Sequence, residues 1–473
     1  MTLDEARGKH PFLLLPIRLL KRFEVNRAVL FSIMNQGWSL LTGPLTILVI
    51  AQWLSSDEQG FYYTFNSVLG LQIFVELGLA TVLVQVASHE WVLLHRNPDG
   101  SIGGDPDALS RLSSLLRFAL KWYVAAGGLV IVGLSIGGYF FFTDKPHPDI
   151  VWQVPWFCLC VIAGINLMMS PLFSVIEGTN QVASIFAFRF VLGVANTAGL
   201  ILGIQHGFGL YALPLAALTR LLCNMIFISW KHRRFVLQLT TCKLGRMISW
   251  QKEVWPFQWR LSLSWLSGYF IFQLFTPVMF HYHGPKVAGQ MGMTMSLMTT
   301  LGTLSYAWLA VRAPQFGMLI AKKDYVELDQ LFHRLVWITM GIVAAGAVAI
   351  LGFVLILHWG HFAMGSRMLT LLPVCLLLGQ QIINCAINAM AIYLRAHKKE
   401  PLMIVSLVSA LLIGLSTWQL GATYGPTGAA AGYFVICLVW GLPSCWYIFQ
   451  RCRTQWHQPG ATLSPETPVA AVT

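Results

Sequence analysis

The chain has 473 residues, of which 56% are hydrophobic and 11% charged, and its mean hydropathy is +0.64. Soluble domains carry about 25% charged residues, so this composition excludes an ordinary soluble fold. The formal charge of +12 comes from short basic blocks between apolar runs. Because Lys and Arg in such blocks set membrane topology and meet anionic lipid, we expect membrane lipids and no nucleic acid as partners.

Residues 1–25 precede the first apolar run and mix leucines with Arg18, Lys21 and Arg22. This pattern predicts a basic amphipathic segment on the inner leaflet rather than a signal peptide. Apolar runs of about 20 residues then recur as far as Phe449, and each must be a helix because lipid offers the backbone no hydrogen-bond partners. Twelve transmembrane helices are predicted at 28–53, 60–87, 117–142, 152–176, 183–205, 208–230, 255–280, 288–311, 333–358, 368–394, 401–421 and 427–449.

The distribution of basic residues predicts the orientation of these spans. Of the 31 Lys and Arg residues, 27 fall on the side of the two termini. The opposite side holds Lys145, Lys286 and Arg367, and Arg220 lies within a span. Because cytoplasmic flanks hold the excess of basic residues, both termini are predicted to be cytoplasmic.

Short glycine-containing turns predict an internal duplication. The turns after the first and seventh spans align Gly60 with Gly289, and those before the sixth and twelfth spans align Gly207 with Gly425. We expect each glycine to let a helix begin directly from a tight turn. Chance coincidence is the alternative. The pattern predicts an all-α protein of two six-helix lobes related by a pseudo-two-fold axis along the membrane normal. The predicted units are an N-lobe at 26–230, a basic cytoplasmic linker at 231–254, a C-lobe at 255–449 and a disordered cytoplasmic tail at 450–473.

Five stretches resemble, in order, the polysaccharide-transport branch of the multidrug, oligosaccharidyl-lipid and polysaccharide exporter superfamily. They are 54–62, 74–80, 287–292, 314–328 and 424–432. The resemblance implies two lobes forming a V around a central cavity in the bacterial inner membrane. It also implies flipping of an undecaprenyl-pyrophosphate oligosaccharide for O-antigen (lipopolysaccharide), capsule or exopolysaccharide synthesis, alongside other polysaccharide-assembly proteins. Twelve spans are more similar to this branch than to the lipid II flippase branch.

Arg220 is the first candidate site residue. An ionisable side chain at the centre of a span costs at least about 2.5–3.5 kcal/mol, so it needs a partner, an aqueous cavity or a function. Arg220 lies ten residues before Trp230, about 15 Å along the helix and hence near the midplane. Since guanidinium groups bind pyrophosphate bidentately, we interpret Arg220 as part of a cationic cavity for the anionic cargo. A buried partner carboxylate is the structural alternative.

Three further arginines are assigned to the same substrate-binding cavity. Arg27 lies at the inner start of the first span and Arg260 about one turn into the seventh, so they are half-repeat counterparts if one helical turn of slippage is allowed. Arg189 lies about two turns into the fifth span. Alternatively, Arg27 and Arg260 are lipid anchors whose stems snorkel to phosphate. Arg189 could equally pair with Glu177 across the turn between the fourth and fifth spans.

Glu76 is the one carboxylate well inside a predicted span. An ionisable group at that depth is a functional candidate, so Glu76 is predicted to couple transport to H⁺ or Na⁺. A static ion pair with Arg220 or another arginine is an equal alternative. Asn35 and Gln36 are assigned to a sugar-lined part of the cavity, whereas the other intramembrane amides are interpreted as helix–helix contacts.

The sequence contains no Walker phosphate-binding loop and no legible catalytic arrangement, so no cofactor and no enzyme activity are expected. His281 and His283 lack a supporting carboxylate or thiolate in sequence, so an interfacial position is favoured over a metal site. Two alternatives to the flippase stay open. One is an ion-coupled drug or cation antiporter of the same fold. The other is a membrane polysaccharide polymerase or acyltransferase, although the longest predicted outer connection is only about ten residues.

Overall fold

A computed structural model describes residues 27–144, 149–397 and 399–457 of the chain. Side chains are described throughout these ranges except at 27–29, 32–33, 257, 260, 307–308, 310–311 and 314. The amphipathic segment predicted at 1–25 and the tail beyond residue 457 lie outside the described residues.

The first half of the chain folds into six spans, of which the second is broken. Ser55 begins this span with a capping box, in which its Oγ accepts from the Glu58 amide and its own amide donates to the Glu58 carboxylate. Leu77 and Gly78 are left-handed, with φ of 51° and 65°, and they bend the span by 46°. The helices are α1 Arg27–Trp53, α2 Ser56–Leu69, α3 Ile73–Glu76, α4 Leu79–Trp91, α5 Pro106–Thr143, α6 Gln153–Gly178, α7 Val182–Gln205 and α8 Ala212–Lys231.

A short hairpin and a helix cover the N-lobe at the side of the linker. Strands β1 (Leu94–Arg96) and β2 (Ile102–Gly104) pair antiparallel between α4 and α5. Helix α9 (Arg233–Thr241) packs beside the hairpin, where the Gln238 side chain both donates to and accepts from the backbone of Ile102. The predicted linker is therefore partly helical and attached to the N-lobe.

The second half of the chain follows the same order of spans. Its first span bends by 41° between α10 and α11. Gly425 has φ of 62° and reverses the chain, since a Cβ on Gly432 would touch Ser416 on the preceding stretch. The helices are α10 Trp255–Phe272, α11 Phe275–His283, α12 Pro285–Lys322, α13 Tyr325–Trp359, α14 Leu371–Ala396, α15 Met403–Ile436 and α16 Leu442–Trp456. Residues 450–456 of the predicted tail are thus helical.

The twelve predicted spans agree with this architecture. Seven helical stretches of the described chain are long and apolar enough to cross a membrane, and the two bent pairs raise this to nine. One of the seven, Met403–Trp456, has 54 residues and turns back at Gly425, so it provides two spans. The more polar α1 and α12, with 27 and 38 residues, complete the set.

The buried apolar side chains show how the two lobes are joined. We call the end with the turns at 54–55, 284 and 425 the charge-poor end, and the end with the turns at 92–105, 232–254 and 397–402 the basic end. One large cluster contains residues of both lobes in the charge-poor half. Toward the basic end the core divides into a cluster within 79–254 and another within 309–449. The lobes therefore form a V whose closed end is the charge-poor one.

Close approach of α2 and α12 closes the charge-poor end. A Cβ on Gly60 would lie 2.0 Å from the Pro285 carbonyl oxygen, and one on Gly289 would lie 3.0 Å from the Gly60 amide nitrogen. The Gln59 side chain donates to the Gly289 carbonyl at 2.9 Å. Gly60 and Gly289 thus lie inside helices and permit backbone contact, rather than starting helices as expected. Because these equivalent residues of the two halves touch each other, they lie near the pseudo-two-fold axis.

Candidate functional site

A cavity lies between α2 of the N-lobe and the helices of the C-lobe. Its volume is about 660 Å³, within the range of about 300–1,000 Å³ that is typical of small-molecule sites. Amide side chains from α2, from the break between α10 and α11 and from α14 line it, and we call it the amide cavity. These amides are Asn66, Gln273, Gln380, Gln381, Asn384 and Asn388.

Helical spacing on α14 builds most of this wall. Gln380, Gln381, Asn384 and Asn388 recur at intervals close to four residues and therefore lie on one face of the helix. Gly302 on α12 makes room for this face, because a Cβ there would lie 2.5 Å from Nε2 of Gln381. The amide wall is thus formed by one face of α14, and the backbone of α12 at Gly302 leaves space for it.

The amide cavity is uncharged but rich in hydrogen-bonding groups. No Asp, Glu, Lys or Arg belongs to its lining among the described side chains. Gln380 is 2% exposed, and its side chain lies beside the Cys437 thiol. The hydroxyl of Tyr63 is buried without a protein partner. Since buried polar groups are nearly always hydrogen-bonded, the Tyr63 hydroxyl is expected to pair with water or with a polar ligand.

A second, more apolar cavity continues from the amide cavity toward the basic end. It has a volume of about 260 Å³ and shares Asn384 and Asn388 with the amide cavity. Its far end contains Arg395 and Lys399, and Arg395 is paired with Glu400 at 3.1 Å. The C-lobe therefore has two neighbouring cavities, an uncharged one and one with a charged mouth.

Arg220 lies on the inward face of α8 in the N-lobe. Leu213, Ala216 and Asn224 share this face and are buried, whereas Leu222 on the opposite face is exposed. Arg220 is itself exposed. Within the described part of the chain, the charge that acts on it comes from Arg189 and from no carboxylate.

The other predicted arginines differ in how they are held. Arg189 donates to Glu177 at 2.5 Å, and the two side chains are 44% and 18% exposed. This is the ion pair given above as the alternative for Arg189, although its charge still acts on Arg220. Arg27 is the first residue of α1 and Arg260 lies in the first turns of α10, and both side chains lie outside the described part of the structure.

The two amides predicted on α1 face different neighbours. Asn35 lies against α7, since a Cβ on Gly193 would be 3.8 Å from its Oδ1. Gln36 shares a helix face with Leu40 and Gly43, and a Cβ on Gly43 would lie 3.0 Å from the Thr300 hydroxyl of α12. Gln36 is therefore on the side of the cleft, and Asn35 is on the side of the N-lobe. Their role in binding sugar stays a prediction.

Glu76 ends α3 at the break in the second span. Its Oε1 accepts a hydrogen bond from the hydroxyl of Tyr123 at 3.2 Å. Next to it, the Leu77 carbonyl accepts from the Ser262 hydroxyl of the C-lobe at 2.8 Å. No Lys or Arg lies within ion-pair distance of Glu76 in the described part of the chain. The carboxyl group thus lies beside a contact between the two lobes.

Charge pairs at the basic end fix the linker to the N-lobe. Arg111 of α5 contacts Glu90 at 3.0 Å and Glu253 at 2.5 Å. The hydrogen bond from Arg111, together with one from the Ser249 amide, lowers the pKa of Glu253. The charged form of Glu253 is therefore favoured, and residues 249–253 are held against α5 just before α10 begins.

The histidines at the charge-poor end make contacts with protein groups. His281 Nδ1 lies 3.4 Å from a carboxylate oxygen of Asp144, and His283 Nε2 lies 2.7 Å from the Gly421 carbonyl. Among the described residues, no group of three or more His, Cys, Asp and Glu side chains is arranged to hold a metal ion.

The main wall of the cavity was missed by the sequence analysis, which treated the amides of the seventh and tenth spans as helix contacts. The available signal was the spacing on α14, because amides four residues apart share one face. The sequence did not show which residues form the wall opposite α14. Gln273 reaches the same cavity only because the seventh span breaks between α10 and α11.

No protein-family model and no curated protein matches the chain. Solved structures do match its fold. An inward-facing multidrug resistance MATE family transporter of the MOP superfamily aligns with a TM-score of 0.62 at 12% identity, over 91% of this chain and 99% of that one. The lipid II flippase MurJ, in an inward closed conformation, aligns with a TM-score of 0.57 at 14% identity, over 91% and 90%.

A MOP superfamily transporter from Pyrococcus furiosus, described as having a binding pocket of reverse polarity, aligns with a TM-score of 0.53 at 12% identity, over 92% of this chain and 96% of that one. Identities this low establish the architecture and not the cargo. The chain therefore has the fold of the MOP superfamily transporters, with two lobes of membrane-spanning helices.

Proposed function

We propose that the chain is a transporter that flips a lipid-linked oligosaccharide, carried on a polyprenyl pyrophosphate, across the bacterial inner membrane by alternating access. The cargo would serve O-antigen, capsule or exopolysaccharide synthesis. The observation that carries the proposal is the distribution of charge within the spans. An exposed guanidinium on the N-lobe side has no carboxylate partner in the described chain, and the amide cavity has no charged lining.

This charge distribution favours an anionic cargo over a cationic one. A pyrophosphate is a concentrated anion that a guanidinium binds bidentately, whereas an organic cation needs a carboxylate or an electron-rich acceptor. The chain fold also allows a drug or cation antiporter, but Arg220 would repel such a substrate. No described feature favours a polymerase or an acyltransferase.

The division of the core supports alternating access. The lobes share one apolar cluster at the charge-poor end and have separate clusters at the basic end. If the basic end is cytoplasmic, as the excess of Lys and Arg predicts, this arrangement suits loading of a cargo made inside the cell. Breaking the contact at Gly60 and Gly289 would then open the opposite side.

Replacement of Arg220 tests the proposal. We expect Arg220→Ala to lower surface glycan at least about tenfold, because a charge-assisted hydrogen bond contributes about 1.5–3 kcal/mol. Arg220→Lys should retain part of the activity, since an ammonium keeps the charge but not the bidentate geometry. The measurement is glycan output at matched protein level in a cell that lacks its own exporter.

Arg234→Ala is the matched control, because Arg234 belongs to the same lobe but is 71% exposed at the basic end. It should leave output unchanged. Proteoliposomes loaded with a polyprenyl-pyrophosphate oligosaccharide provide the direct assay of flipping. Wild-type output from Arg220→Ala, or absence of flipping by the wild-type chain, would reject the proposal.

A further inference from the structure

We propose that the amide cavity binds the uncharged sugar units of the cargo, so that the C-lobe recognises the glycan while the N-lobe recognises the phosphate. This inference rests on the proposed function, and it assigns a ligand class to a cavity of about 660 Å³. It also moves saccharide recognition away from Asn35 and Gln36 and onto α14.

The hydrogen-bonding groups of the cavity match a polyol. An amide side chain offers two N–H donors and a carbonyl acceptor, and a sugar hydroxyl is both a donor and an acceptor, so the two pair in either direction. A cation would use only the acceptors. An anion would use only the donors. The wall of Gln381, Asn384 and Asn388 therefore suits hydroxyl groups better than either kind of ion.

The polarity of the wall points to a polar occupant. The buried hydroxyl of Tyr63 has no protein partner, and Asn384 and Asn388 line the cavity with amide groups. A lipid tail in the cavity would offer these groups no hydrogen bond, whereas sugar hydroxyls can pair with them. The polar wall thus discriminates against the apolar part of the same cargo.

Aromatic rings complete the site. Tyr62 and Tyr63 contribute from the N-lobe, and Phe272, Tyr306 and Tyr433 from the C-lobe. Rings with an apolar face and a polar edge suit sugars, whose C–H faces are apolar and whose rims carry hydroxyls. The combination of amides with aromatic rings is therefore more specific for saccharides than the amides alone.

The shape of the wall suggests more than one sugar. From Gln380 to Asn388 the face extends about 12 Å along α14, at 1.5 Å per residue, which is longer than one pyranose ring. Its direction is from the interior toward Arg395 at the basic end of the same helix. An oligosaccharide can therefore lie along α14 with successive rings on successive amides.

Titration of the purified full-length protein with soluble probes tests this inference. The probes are uncharged trisaccharides (maltotriose, mannotriose and chitotriose), inorganic pyrophosphate and tetraphenylphosphonium. We expect the wild-type chain to bind at least one trisaccharide. The double variant Asn384→Leu and Asn388→Leu should bind it with a dissociation constant at least about tenfold larger, because two hydrogen-bonding side chains are lost. Its affinity for pyrophosphate should be unchanged.

Two further variants distinguish loss of the binding site from loss of folding. Gly302→Ala alters no amide but places a methyl group 2.5 Å from Gln381 Nε2, so it should also weaken trisaccharide binding. Gln419→Leu removes an exposed amide of the same lobe that does not line the cavity, and it should have no effect. A variant is compared with the wild type only if its melting temperature without ligand is the same.

The outcomes separate this inference from the proposed function. No trisaccharide binding by the wild type, or equal binding by the Asn384 and Asn388 variant, overturns the sugar site even if flipping persists. Loss of tetraphenylphosphonium binding in that variant would show a cation site instead, and it also overturns the inference. Failure of flipping with intact, amide-dependent trisaccharide binding would remove only the proposed function.

Discussion

The two lobes have the same order of spans but different chemistry where they face each other. The N-lobe carries its ionisable groups at depth, with Arg220 on α8 and Glu76 at the break of the second span. The C-lobe has instead a face of amides on α14. In the proposed function, the duplicated scaffold therefore has two kinds of recognition, one for charge in the N-lobe and one for hydroxyl groups in the C-lobe.

The two lobes share one feature, the glycine contact at the charge-poor end. Both contribute a glycine to the contact at the charge-poor end, and neither glycine can carry a side chain without moving a backbone.

The largest expected effect is at Gly60. In Gly60→Ala the methyl group would lie 2.0 Å from the Pro285 carbonyl oxygen, so α2 and α12 must separate. Overpacking of this kind costs about 1–3 kcal/mol or more, and here it opposes closure of one end of the cleft. We expect transport to be abolished and backbone hydrogen exchange to rise within 56–69 and at the start of α12.

Gly341→Ala is the matched control, because a Cβ at Gly341 meets no atom within 4 Å. It should transport normally. Wild-type transport and unchanged exchange in Gly60→Ala would mean that the two lobes do not need this contact, and the pseudo-two-fold closure would then be wrong.

A smaller, several-fold effect is expected at Glu76. Gln has nearly the same shape as Glu but cannot exchange a proton or balance a cation, so Glu76→Gln should lower transport driven by an ion gradient. The measurement is flipping in proteoliposomes with and without a proton or sodium gradient. Tyr123→Phe removes the hydrogen bond to Glu76 but keeps the carboxyl group, and it should retain the gradient dependence. Unchanged gradient dependence in Glu76→Gln would discard the coupling role.

The sequence predicted the fold better than the site, for a physical reason. The spans follow from hydropathy, which is a local property, so the twelve-span fold was predicted. The role of Gly60 and Gly289 was not, because their contact depends on which helices meet. Cavity walls depend on which faces meet, as when Gly302 admits Gln381. The sequence marked Arg189 as a site residue and also suggested its pairing with Glu177, but only the distance of 2.5 Å shows that the ion pair forms.

The smallest effect is expected at the histidines that follow the last helix of each lobe. His232 follows α8 and His457 follows α16, so they occupy equivalent places. Burial, with repulsion from Arg96 and Lys231, lowers the pKa of His232 to about 4, and both of its ring nitrogens lack partners. Burial also lowers the pKa of His457, but its Nε2 lies 3.3 Å from the Tyr393 hydroxyl.

A histidine whose pKa is lower in the folded than in the unfolded state costs stability as the pH falls. The unfolded chain takes up its proton near pH 6.5, whereas folded His232 resists protonation down to about pH 4, so stability should decrease across that window. At 1.36 kcal/mol per pKa unit the loss is at most about 3 kcal/mol. His232→Phe, which fits between Phe227 and Phe235, should flatten the dependence of the melting temperature on pH between 4 and 6.5. His457→Phe should change it less, because that ring is only half-buried and has a partner. If the melting temperature depends on pH equally in the wild type and in His232→Phe, burial of His232 does not set the acid sensitivity of the N-lobe. The histidines at the ends of the two lobes would then not differ in this respect.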